Sequence, residues 1–163
     1  MNRKGKLYIV NWVFSYGSAS SNRLLAYANS AVELGYKVEI VAFLRLEVKD
    51  YHPKQGITIR GLSPCKIRSK ILSKLLSFFT SIWFLLTAIK KEDRLLLYGS
   101  AEYLPFFIWL RKSQTYFEVT EFPELFKPRT NHRLNYKNIS KTNKIIIVLS
   151  NNLKKYFIHN GVE

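Results

Sequence analysis

Glu118, Glu121 and Glu124 stand three residues apart in a chain where basic residues outnumber acidic ones 26 to 11. They close and follow the apolar run at 115–119, which places at least one carboxylate at the end of a buried strand. A carboxylate there accepts hydrogen bonds from sugar hydroxyls, or acts as a base if its surroundings raise its pKa. Two structural roles compete. Glu121 suits the first turn of a short helix at Pro123, where its charge favours the helix dipole, and Glu118 suits pairing with an arginine.

A second candidate is the small-residue turn from Tyr16 through Gly17 and Ser18 to Ser21, ahead of a helical pattern read from Asn22 and Arg23. A helix start offers free backbone N–H groups and the positive end of its dipole to an anionic oxygen. The turn is not a dinucleotide fingerprint, because Gly17 stands alone where three spaced glycines are needed. Nor is it a phosphate-binding P-loop, because no Gly-Lys-Ser/Thr follows. A tight turn that holds no ligand is the alternative.

Third comes a row of lysines, Lys66, Lys70 and Lys74, in the longest helical pattern of the chain, about 66–91. At about 100° per residue they share an arc with Ser77 and Ser81, while Ile71, Leu75, Phe78, Ile82, Leu85, Leu86 and Ile89 form the apolar arc. Leu72, Leu76, Phe79 and Trp83 widen that arc. The pattern predicts that the apolar arc packs on the sheet. Phe84 projects onto the lysine side, where lysines and a stray aromatic match an anionic membrane surface.

Metal and disulfide chemistry find little support. Cys65 is the single cysteine, and His52, His132 and His159 are scattered, so no structural metal is expected and a reducing compartment is. The net charge of +15 is concentrated: residues 51–91 hold eight basic side chains and no carboxylate. Such a segment suits phosphates of lipid, nucleic acid or substrate.

These candidates need elements to position them. At 163 residues the chain makes one domain, and its 47% hydrophobic content excludes intrinsic disorder. Apolar runs predict strands at 7–13, 37–43, 57–60, 95–98, 115–119 and 145–149. Helical spacing predicts helices at 22–34, 66–91, 101–112, about 131–142 and 151–159, the last capped by Ser150 or Asn151 and stopped near Gly161. The basic start, the apolar run at 7–14 and the small residues after it have the outline of a secretory leader. Asn11 interrupts the run, however, and a buried first strand fits better. The longest uncharged central stretch, 75–89, is shorter than the ~20 residues a transmembrane helix needs. Alternating strands and helices predict an α/β fold with a doubly wound, mostly parallel sheet of about six strands. Ligands of such sheets bind at the carboxyl ends of the strands, so Gly17, Ser18, Asn22, Arg23, Tyr98, Glu118 and Glu121 are expected on one rim.

The opening strand, the loop at 16–21, Asn22-Arg23, and Glu33-Leu34-Gly35-Tyr36-Lys37-Val38 before the second strand resemble the N-terminal half of GT-B type glycosyltransferases, family 4 above all. Residues 145–150 followed by Asn151-Asn152-Leu153-Lys154-Lys155-Tyr156 are similar to the segment before the crossover to the donor domain. Residues 118–123 are similar to the fifth-strand segment, with Glu121 where a histidine is common. The resemblance implies a Rossmann-like domain, 1–163, that holds the sugar acceptor. A separate C-terminal domain, absent from this chain, would hold the nucleotide sugar, so no cofactor is expected on this chain. It also implies a retaining sugar transferase at the cytoplasmic membrane face, acting on a polysaccharide or lipid-linked precursor. The donor phosphate can itself take the acceptor proton in such enzymes, so no protein base is required. The alternative from another class is a small basic module that docks nucleic acid or an anionic surface without catalysis. Nucleic acid is the weaker partner, because the recognised binding motifs are missing and the aromatics follow the core pattern.

Overall fold

The computed structural model describes residues 5–49, 51–62, 70–98, 113–120 and 145–161. Six strands, β1 (Lys6–Ser15), β2 (Lys37–Glu47), β3 (Ile57–Gly61), β4 (Arg94–Tyr98), β5 (Gln114–Val119) and β6 (Ile145–Val148), form one sheet in the order β3-β2-β1-β4-β5-β6. Every neighbouring pair is parallel, so the sheet is Rossmann-like and reverses its strand order between β1 and β4. Three described helices accompany it: α1 (Ala19–Glu33), α2 (Lys70–Thr87) and α3 (Asn151–His159). The helices expected at 101–112 and 131–142 lie outside the described residues.

Both faces of the sheet carry apolar side chains, as strands covered on two sides require. Ile9, Ile40, Ala42 and Leu96 meet Leu24, Leu25, Ala28 and Ala31 of α1 on one face. On the other, Val10, Val41, Leu95, Leu97 and Phe117 meet Phe84 and Leu85 of α2 and Leu153 and Phe157 of α3. The two faces follow from chain direction. The β1 to β2 connection moves one way across the sheet and the β3 to β4 connection the other, and crossovers of one hand then place α1 and α2 on opposite sides. Gly35, with φ of 84°, ends α1, and Ser150 caps α3 by accepting the Leu153 N–H.

The orientation of α2 corrects the expectation that its apolar arc packs on the sheet and that Phe84 faces outward. Ser77, Ser81, Phe84 and Leu85 are buried against the sheet, whereas Ile71, Leu72, Leu75, Phe79, Trp83 and Leu86 face outward. Phe84 is therefore a core residue and not a surface contact: its ring stands edge-on to Tyr8 at 5.6 Å between centroids, under the Arg60 guanidinium at 5.4 Å. The physical reason is size. Serines four residues apart let the helix backbone come close to the sheet, and the Ser81 hydroxyl is absorbed by the Ser77 carbonyl at 2.5 Å. Lys66 and the side chains of Lys70 and Lys74 lie outside the described residues. Among the described residues no helix is long and apolar enough to cross a membrane.

Asp93 fixes the edge of the sheet opposite the rim. It lies between α2 and β4, is buried, and accepts the Lys6 N–H on Oδ1 and the Lys90 N–H on Oδ2, each at 2.8 Å. One carboxylate thus ties the start of β1 to the end of the α2 segment. Asp93→Ala removes both bonds and is expected to cost about 1.5–3 kcal/mol, the usual value for hydrogen bonds to a charged group. The measurement is the urea midpoint, which should fall with an unchanged slope.

Candidate functional site

The rim is shaped by an irregularity in β1 and β2. Asn11 pairs with Ala42, yet Val13 pairs with Arg45, so β2 carries one extra residue there. Asn11, which interrupts the apolar run, serves this bulge: its amide donates to the Val13 carbonyl at 2.8 Å and accepts the Trp12 N–H at 2.7 Å. Past the bulge the two strands run on to Ser15 and Glu47, while the β4 pairing ends at Leu97. The β1–β2 pair therefore stands above the rest of the rim by several residues.

Gly17 and Ser18 lie at the top of this projection, as expected. Gly17 has φ of 88°, which favours glycine, and Ser18 is the N-cap of α1, accepting the Ser21 N–H at 3.2 Å. Asn22 differs from expectation. The helix begins at Ala19, and the Asn22 N–H is already bonded to the Ser18 carbonyl at 2.9 Å, so it offers no donor to an anion. The turn hydroxyls bond one another, Ser18 to Ser21 at 3.0 Å.

Arg23, Tyr98 and Glu118 meet one level lower, beside the order reversal. Tyr98 and Glu118 are register partners on β4 and β5. Glu118 is fully buried at its side chain and receives the Arg23 Nη1 donor on Oε1 at 3.3 Å, so the arginine-pairing role holds for it. Its Oε2 is buried with no partner in hydrogen-bonding geometry. Burial raises the Glu118 pKa above its ordinary value, against the lowering pull of Tyr27 and Arg23. The Tyr27 phenol is raised too, first by its own burial and then by the Glu118 charge. Tyr27 was not among the sequence-derived candidates, although it stands four residues after Arg23, one turn further along the same face of α1. Glu121 lies outside the described residues.

A second carboxylate at the rim, Glu47, also escaped the sequence reading. It accepts from Ser15 Oγ at 2.8 Å and from Arg45 Nε at 2.7 Å, and the Arg45 bonds lower its pKa. A groove of about 670 Å³ opens here, lined by Ser15, Tyr16, Leu46, Glu47, Val48 and Lys49. Tyr16 and Tyr51 face each other beside it at 4.6 Å between centroids. The signal was present in the alternation of Arg45, Leu46 and Glu47, which extends β2 past 43.

Fold and rim together define a Rossmann-like α/β domain with a ligand-sized groove and a buried carboxylate paired with a partly exposed arginine at the carboxyl ends of its strands. No protein-family model, no curated protein and no solved structure matches the chain.

Proposed function

We propose that this domain is the acceptor-binding half of a retaining glycosyltransferase, and that a separate domain holds the nucleotide sugar. The observation that carries the reading is the rim beside the order reversal, where Arg23, Tyr27, Tyr98 and Glu118 gather without the glycines a dinucleotide site needs. A buried carboxylate with one unpartnered oxygen, next to a guanidinium and phenols, suits the dense hydroxyls of a sugar better than a flat base. Glu47, held by Ser15 and Arg45, supplies a second fixed acceptor above it. The resemblance of 1–163 to the acceptor-side half of family 4 enzymes points the same way.

Alone, the chain should bind a sugar phosphate weakly and turn over no nucleotide sugar. The test is amide chemical-shift titration of the purified chain with a glycosyl 1-phosphate and, separately, with a uridine diphosphate sugar. The expected result is shifts at Ser18, Arg23 and Glu47 for the sugar phosphate and none there for the nucleotide sugar. Hydrolysis or transfer of the nucleotide sugar by the chain alone, or rim shifts from the nucleotide sugar only, would overturn the reading.

A further inference from the structure

An 18-residue helix packed on a sheet normally turns its apolar stripe inward, because that stripe is what drives the packing. In α2 the opposite holds. On a wheel of about 100° per residue, the outward residues Ile71, Leu72, Leu75, Phe79, Trp83 and Leu86 fill an arc from about 0° to 120°, the inward Ser77, Ser81 and Phe84 lie opposite, and the buried Leu85 borders the stripe. Ile71, Phe79 and Trp83 are 75%, 62% and 71% exposed. Side chains of this size in one continuous stripe exceed the scattered apolar residues of an ordinary surface and mark a contact face.

The charge around the stripe selects its occupant. From 51 to 91 the chain has eight basic side chains and no acidic one, with Lys90 and Lys91 exposed just past the helix and Lys54 and Arg60 exposed before it. A second copy would set this basic segment against itself, with like charges opposed. An anionic bilayer neutralises it and takes up the rings and leucines at the headgroup–acyl boundary, where tryptophan is favoured. Among the described residues no helix is long and apolar enough to cross, so α2 would lie in the membrane plane with its serine face on the domain. We infer that the outward face of α2, from Ile71 to Leu86, is a docking surface for an anionic membrane, seated by Phe79 and Trp83 and steered by the basic sequence in which it lies, with Lys90 and Lys91 exposed just past its end.

This inference does not depend on the sugar-transfer reading, and its test does not use sugar. The full chain is floated with vesicles of phosphatidylcholine, and with vesicles in which about a third of the lipid is phosphatidylglycerol, at low and high salt. It should rise with the anionic vesicles and less so at high salt. Phe79→Ser combined with Trp83→Ser should lower that partition roughly tenfold or more while leaving the melting temperature nearly unchanged, and Trp83→Phe should keep most of it. Absence of flotation with anionic vesicles, equal flotation with neutral ones, or indifference to the double substitution would overturn the proposal. So would a dimer in sedimentation equilibrium that the double substitution dissolves, which would assign the face to a second copy.

Discussion

Phe84→Ala should unfold the domain far more readily than Trp83→Ala, although tryptophan is the larger residue and stands next to it on the same helix. Phe84 is 3% exposed and packed on Tyr8, Leu85 and the strands of the sheet, so its loss leaves a cavity that the surrounding core fills only in part. Truncating a buried phenylalanine costs about 3–5 kcal/mol, which for a chain of this length lowers the melting temperature by roughly 6–20 °C. Trp83 is mostly exposed, so its truncation should stay within about 0.5 kcal/mol. Thermal melts of the two variants read the orientation of α2 directly. A lower melting temperature for the Trp83 variant would mean that the apolar arc faces the sheet after all.

The contrast shows which parts of the fold the sequence carries plainly. Strand positions were readable because a doubly covered parallel strand needs a mostly apolar run, and residues 7–13, 37–43 and 115–119 have one, broken only at single positions such as Asn11, Glu39 and Glu118. The facing of α2 was not, because hydrophobic periodicity locates the apolar stripe without saying what the stripe meets. The informative residues were the small ones: Ser77 and Ser81 mark the side that approaches the sheet most closely. Asn11 is similar. It looks like a flaw in a strand, and it is the residue that satisfies the backbone at the bulge between β1 and β2.

At the rim, residue type and strand position led to Gly17, Ser18, Arg23, Tyr98 and Glu118, and the last three meet as expected of loops and strand ends beside an order reversal. The start of α1 was placed three residues late, because Ala19, Ser20 and Ser21 read as turn residues by type. Ser18 caps the helix and draws them into its first turn. Tyr27 and Glu47 were missed because neither follows a strand end in the short reading of β1 and β2. Both become legible only when the register carries those strands past the bulge and the side chains of α1 are seen to reach Glu118 on β5.

Replacing Glu118 by glutamine should change how stability depends on pH, in a direction fixed by its burial. The Glu118 pKa is raised in the folded chain, with burial the largest cause and with Tyr27 and Arg23 opposing it, so folding draws a proton onto this carboxyl. A raised carboxyl contributes stability that is fully present below its ordinary unfolded value and is lost as pH rises through the folded value. Glu118→Gln has no such loss. The melting temperature of the variant, measured against the parent chain from about pH 4 to pH 8, should therefore gain on it as pH rises above the ordinary glutamate range. Arg23→Gln should act the other way. It leaves the Glu118 carboxylate buried without its guanidinium partner and raises its pKa further, so the penalty at neutral pH grows. Removing one partner of a fully buried pair costs about 3–5 kcal/mol, and because the Arg23 side chain is 38% exposed a smaller loss of about 1–3 kcal/mol is expected near pH 8. That loss should shrink towards pH 4, where Glu118 is protonated in both chains. A pH-independent offset for either variant would mean that Glu118 titrates at its ordinary value and that its burial is compensated by partners other than Arg23 and Tyr27.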